Sequence, residues 1–201
     1  MFVQVISGTV TDRDGFERLG DRWEAELRPG ALGYLGVTEG TTDDGRFVVA
    51  ARFESAEAAA KNSERPEQSQ WYAEMEKVVD DVTFHDCSRV ETLFGGGKDH
   101  AGFVQVMRGE VRDAAKADAM FARSAEAEKV LAAVRPDVIG EVIALHDDGS
   151  GYTDLVYFRS EAAARAAEQR EMPADAQALM SEFESALAVS EYFDLHHPTL
   201  R

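Results

Sequence analysis

The tetrapeptide Phe2-Val3-Gln4-Val5 occurs a second time as Phe103-Val104-Gln105-Val106, and each copy heads a stretch that runs parallel to the other. Gly8, Val10 and Asp12 answer to Gly109, Val111 and Asp113. Further on, Arg28-Pro29 answers to Arg135-Pro136, Gly33 to Gly140, and Asp43-Asp44-Gly45 to Asp147-Asp148-Gly149. Phe53-Glu54-Ser55 then matches Phe158-Arg159-Ser160. The order never changes and the spacing drifts by a few residues. The chain is one unit of roughly 95–100 residues written twice. The expected division is a first repeat over 1–94, a glycine-rich linker over 95–101 and a second repeat over 102–201.

Within each unit the periodicity changes in a fixed order. Residues 2–11 alternate as an interior strand, with Val3 and Val5 on one face and Phe2, Gln4 and Ile6 on the other. Asp12 or Asp14 can cap a helix carrying Phe16, Leu19, Trp23 and Leu27 on one stripe, and Pro29-Gly30 ends it. Leu32 to Glu39 and Arg46 to Phe53 read as a hairpin about Asp43-Asp44-Gly45. Ser55 caps an alanine-rich helix, Pro66 interrupts, and a further helical piece runs from Glu67 to Val79. Val82 to Leu93 is the fourth strand. The second unit repeats this with strand 103–111, helix 114–134, hairpin 138–146 and 152–158, helices 161–169 and 174–188, and strand 190–196.

The order β-α-β-β-α-β gives an α+β fold, two tandem ferredoxin-like repeats, each a four-stranded antiparallel sheet with helices on one side only. The bare apolar side of such a sheet must be covered. Two copies in one chain can lay these faces together and close a pseudo-dimeric α+β barrel, the short linker supplying a millimolar effective concentration. Such a chain is a monomer in which the two repeats act as a pseudo-dimer, or a homodimer of it.

Composition narrows the partners. A net charge of −17 repels phosphate backbones and anionic lipid, which argues against nucleic-acid and membrane binding. Cys87 is the only cysteine, so no internal disulfide forms, and its apolar surroundings suit a small buried hydrophobe. Without a secretion signal or a long apolar run, the expected compartment is the cytoplasm.

The β-α-β-β-α-β order, the opening Phe2-Val3-Gln4-Val5-Ile6 and the segments Phe53-Glu54-Ser55-Ala56-Glu57 and Phe158-Arg159-Ser160-Glu161-Ala162 carry a resemblance. The chain resembles the dimeric α+β barrel superfamily, in its antibiotic-biosynthesis-monooxygenase-like group. That resemblance implies cofactor-independent oxidation of an aromatic or polyketide-like substrate, with no cofactor bound. The alternative is a non-catalytic ligand-binding or stress-associated barrel. The haem-degrading members of the group show an asparagine on the first strand, and a histidine beyond a tryptophan of the second helix. Here Asn62 is the only asparagine and no histidine follows Trp71 in its helix, so haem degradation does not fit.

Four residues are candidates for a small-molecule pocket in the first repeat: Gln4, Trp71, Tyr72 and His85. Gln4 and Gln105 place an amide at the same point of an interior strand, where it serves as a structural hydrogen bond or as a donor to a ligand carbonyl. Trp71 and Tyr72 have no aromatic match in the second repeat, where Ala178 and Leu179 stand. They wall a pocket for a flat apolar ligand or pack a core. His85 can work with Asp86 only if the strand bulges, because strand neighbours point to opposite faces; otherwise it is a satisfied structural histidine. His196-His197 lacks a placed carboxylate, and no metal site is expected. No phosphate-loop, nucleophile-elbow or zinc-helix motif is present.

Overall fold

The computed structural model describes residues 1–201. Alternation builds strand β1 (Phe2–Val10), in which Val3 and Val5 are wholly buried. It leads to α1 (Arg13–Arg22), a π-helical turn (Trp23–Leu27), and the hairpin β2 (Tyr34–Thr41) and β3 (Arg46–Phe53). Helices α2 (Ala56–Ser63) and α3 (Pro66–Met75) follow, then β4 (Val79–Cys87) and β5 (Arg89–Leu93). The second repeat runs β6 (Phe103–Val111), α4 (Ala114–Phe121), α5 (Ser124–Val134), β7 (Val138–Leu145) and β8 (Tyr152–Phe158). It ends with α6 (Glu161–Glu168), α7 (Ala174–Ala186), β9 (Leu187–Leu195) and β10 (Thr199–Leu200).

The helix starts are written identically in the two repeats. Asp12 accepts from the Gly15 amide and Asp113 from that of Lys116, while Ser55 and Ser160 accept from Ala58 and Ala163. Each such cap stabilises its helix by about 1 kcal/mol. No helix is long and apolar enough to cross a membrane.

The single fourth strand expected over Val82–Leu93 breaks at Ser88. Its first part, β4, edges the first sheet, while β5 crosses over and pairs with β7 of the second. The corner is held because both the amide and the hydroxyl of Ser88 donate to the Asp147 carboxylate. The last strand does the same in return: β9 edges the second sheet and β10 pairs with β2 of the first. Each sheet therefore has five strands, in the orders β10-β2-β3-β1-β4 and β5-β7-β8-β6-β9, rather than the four expected. Register adjusts a further match: Gly36, not Gly33, occupies the irregularity that Gly140 makes in the second hairpin.

Two other expectations change locally. The helix expected over 114–134 breaks at Arg123, whose backbone leaves the helical region (φ −116°, ψ 17°). Gly95 and Gly96, expected in a flexible linker, take the left-handed φ values 77° and 73°. The Gly96 amide donates to Leu93 O in an ordered turn, backed so closely on Gly140 that a side chain there would collide with Gly96 O.

The bare sheet faces meet, as the duplication requires. One buried cluster unites Val3, Val5, Val48, Ala50 and Cys87 with Val104, Val106, Val142, Ala144, Leu155, Tyr157, Phe193 and Leu195. Burying each Val or Leu there contributes about 1.5–3 kcal/mol, which makes this seam the main stabilising contact. Burial also pushes the Cys87 thiol up to about 12, so it packs as a hydrophobe. Where equivalent positions approach each other across the seam, the copies have become complementary. Arg108 donates to Ser7, its counterpart, and Arg52 reaches toward its own counterpart Tyr157, whose hydroxyl lies 2.6 Å from Thr38 Oγ1.

Candidate functional site

Opposite the barrel interior, the outer face of the first sheet and its helices enclose a cleft of about 740 Å³. The sheet contributes alternate residues: Gln4 and Ile6 from β1, Val37 and Glu39 from β2, Phe47, Val49 and Ala51 from β3, Val82 and Phe84 from β4. Helix α1 adds Phe16, the π-helical turn adds Trp23, and α3 adds Trp71 and Tyr72. With Tyr34 and Phe53, eight aromatic side chains line one cavity. The second repeat closes it by way of its crossing strand, with His196, His197, Thr199 and Arg201. The site is therefore completed by both repeats, not confined to the first.

Its rings are fixed by their own polar atoms. Trp71 Nε1 donates to Leu19 O at 2.8 Å and Trp23 Nε1 to Gln68 Oε1 at 2.8 Å. Trp23 packs edge-on against Tyr34 at 5.0 Å, and Tyr72 edge-on against Phe84 at 5.7 Å. The apolar stripe of the sequence places Trp23 in the core. That stripe is the cleft-facing side of the helix, Phe16 lining the cavity with Trp23, so Trp23 walls a cleft instead of a closed core.

Two polar groups in the cleft have no protein partner. Glu39 makes no hydrogen bond or ion pair, and burial raises its carboxyl above the usual range, opposed by Arg201 and reinforced by Glu24 and Asp21. The Tyr34 hydroxyl is buried without a partner, and burial raises it too. Arg201 is drawn aside by Asp21 at 3.5 Å and Glu24 at 3.6 Å. The sequence did not single out Glu39. Its signal is a lone carboxylate two residues from Val37, on the face of a strand that should be apolar.

Gln4, Trp71 and Tyr72 thus come together in the cleft. Gln4 Nε2 donates to Asp86 Oδ1 at 2.9 Å, and Gln105 repeats the bond with Asp194 at 2.9 Å. The recurring amide is a cross-strand structural bond, which leaves the carbonyl end of Gln4 for the cleft. His85 does not join them. Paired with Val5, it points into the seam between repeats while Asp86 points outward, so the two cannot act as base and orienting acid.

In the seam, His85 stacks on His146 with ring centres 4.0 Å apart and planes 9° apart. Asp148 Oδ2 lies 3.8 Å from His85 Nδ1, so these three side chains are near enough to suggest a cation site. The planes are parallel, however, and metal bonds lie in the plane of each imidazole, so no single point serves both rings. The nitrogens are also engaged: those of His146 lie 3.0 Å from Ser150 Oγ and 2.9 Å from Thr153 Oγ1, and Arg108 faces His85 Nε2 at 3.3 Å. Burial, then His85 and Arg108, pushes His146 down to about 4; burial, then Arg108, lowers His85. The pair is a neutral stack.

The matching face of the second sheet is filled. Leu93 from the crossing β5 packs there with Ile143, Leu145, Tyr152 and Leu187, and with Phe94, Leu131 and Phe183. Asp154 and Glu141 lie on the same face. Asp154 has no donor partner, and burial raises both carboxyls, Glu141 to about 7. Two adjacent buried carboxyls without donors repel as anions, which favours keeping a proton on the pair.

No protein-family model matches the chain, and no curated protein matches it by sequence. Among solved structures it is similar to a candidate monooxygenase of Lactobacillus acidophilus NCFM, with TM-score 0.74 and 14% identity over 99% of this chain and 94% of that one. An anthrone oxidase-like protein gives TM-score 0.69 and 13% identity over 99% and 90%. A candidate monooxygenase of Fusobacterium nucleatum subsp. nucleatum ATCC 25586 gives 0.71 and 6% over 96% and 89%. At such identities the likeness is one of fold, and it runs the length of both partners. The chain shares with them the fold of a tandem-duplicated ferredoxin-like α+β barrel.

Proposed function

We propose that this barrel handles a flat aromatic or polyketide-like small molecule in the first-repeat cleft, with Glu39 taking a proton from it in a cofactor-independent oxidation. The observation that carries the reading is one unpartnered, half-buried carboxylate inside a cavity walled by eight aromatic rings. Such rings sandwich a planar ligand, and a carboxyl whose proton affinity burial has raised is a better base than one in water. The protein's share of the chemistry is then to hold the ring, exclude water and accept a proton at a Glu39 oxygen. Dioxygen is the oxidant, and the deprotonated substrate supplies its electrons.

The second reading is a binding protein without turnover. Its support is the charge of the cleft, where five carboxylates face two guanidinium groups and disfavour a substrate anion. An oxygen electrode separates the two. With anthrone as substrate, uptake that falls at least about 10²-fold in Glu39→Gln supports the enzyme, general base catalysis being worth that much. Anthrone binding without uptake leaves the binding protein.

A further inference from the structure

Both indole N–H groups, one Gln4 amide N–H and the Arg201 guanidinium are held by protein partners. Among the groups without a protein partner are the Glu39 carboxylate, the carbonyl oxygen of Gln4 and the Tyr34 hydroxyl. Around them, Glu17, Asp21, Glu24, Glu39 and Asp43 face only Arg13 and Arg201, a net charge of −3 with the histidines neutral. Aromatic faces are themselves negative and attract cations, most strongly where water is displaced.

Building on the reading of this cleft as a ligand site, we propose that its ligand is a flat aromatic cation, a fused ring carrying a protonated or quaternary nitrogen that rests against Glu39. The assignment also removes the difficulty with a substrate anion. Where the charge sits on a protonated nitrogen, loss of that proton to Glu39 leaves a neutral ring, which the acidic walls tolerate; a quaternary nitrogen is bound without proton transfer. Cation and carboxylate neutralise each other where neither has a protein partner.

The test is titration of the full chain, followed by tryptophan fluorescence and by thermal shift, with three probes of one shape: N-methylacridinium, acridone and anthracene-9-carboxylate. The expected result is saturable binding of the acridinium at least about 10-fold tighter than acridone, and none of the carboxylate. Glu39→Gln weakens the acridinium by about 10–100-fold, the worth of a charge-assisted contact, and leaves acridone unchanged. Trp71→Ala weakens both. Acridone binding as tightly as the acridinium, or acridinium binding indifferent to Glu39→Gln, overturns the cationic ligand while the cleft stands. Acridinium binding indifferent to both substitutions is surface attraction to the acidic chain, and also overturns it. Failure of all three probes removes the ligand site itself.

Discussion

The outer faces of the two sheets are built from equivalent strands in the same register, yet one encloses a cleft and the other a packed core. The difference concentrates at two points. The crossing strands place Arg201 beside Val37 in the first repeat and Leu93 beside Glu141 in the second. Leu93 is buried and fills; Arg201 leans away toward Asp21 and Glu24 and leaves space. The helices differ in the same sense, since α5 and the longer α7 send Leu131 and Phe183 over the second face. Strand exchange thus lets each repeat decide whether its sister has a cavity.

This contrast is sharpest when the two residues are truncated. Leu93→Ala opens a hole in a closed core and should cost about 2–5 kcal/mol in urea denaturation. Arg201→Ala, losing only long ion pairs beside a cavity, should cost within about 1 kcal/mol. Equal costs would mean that the first-repeat cleft is as tightly packed as the second.

A carboxyl also changes strands between the faces. Glu39 stands opposite Val49 in the first sheet, and Ile143 opposite Asp154 in the second. The first acid faces a cavity; the second is sealed against Glu141. Sealed acids with raised proton affinity bind protons more tightly folded than unfolded, so stability is full below the ordinary carboxyl range and falls as pH rises through about 7. Asp154→Val, which installs the first repeat's residue, should raise stability at pH 8 by about 1–3 kcal/mol and by less at pH 5. A variant no more stable at pH 8 than at pH 5, relative to the parent, would sink the shared proton.

Much of this is legible in the sequence, for identifiable reasons. Repetition of Phe2-Val3-Gln4-Val5 fixes the duplication, strand alternation fixes which residues share a face, and the caps at Asp12, Ser55, Asp113 and Ser160 fix the helix starts. These depend on neighbours in sequence. The crossing of β5 and β10 does not, because a strand's periodicity is the same whichever sheet it joins, and with it goes the contrast of Leu93 with Arg201. Trp71 and Tyr72 stand out as an asymmetry between copies. Glu39 is visible only once both walls around it are placed. His85 misleads, because an alternating strand does not say which of its faces is the barrel interior.

The seam shows the same divergence on a smaller scale. Val106 pairs with Phe193 where Val5 pairs with His85, and the Phe193 ring takes the Arg46 guanidinium at 4.5 Å where His85 takes the His146 ring. One version of this contact is indifferent to pH and the other is not. His146 is held neutral in the fold, so the unfolded chain binds the proton more readily; the stack contributes fully above about 6.5 and loses stability as pH falls toward 4. His85, Arg108, Asp147 and Asp148 face the same ring, and Arg108 adds to the penalty while the two aspartates relieve it. His146→Asn keeps a hydrogen-bonding side chain beside Ser150 and Thr153 without the titration. Between pH 6.5 and 4.5 the parent should lose about 1 kcal/mol more stability than this variant. Parallel pH profiles would show that the ring is protonated in place without cost, and that the two versions of the seam are equivalent.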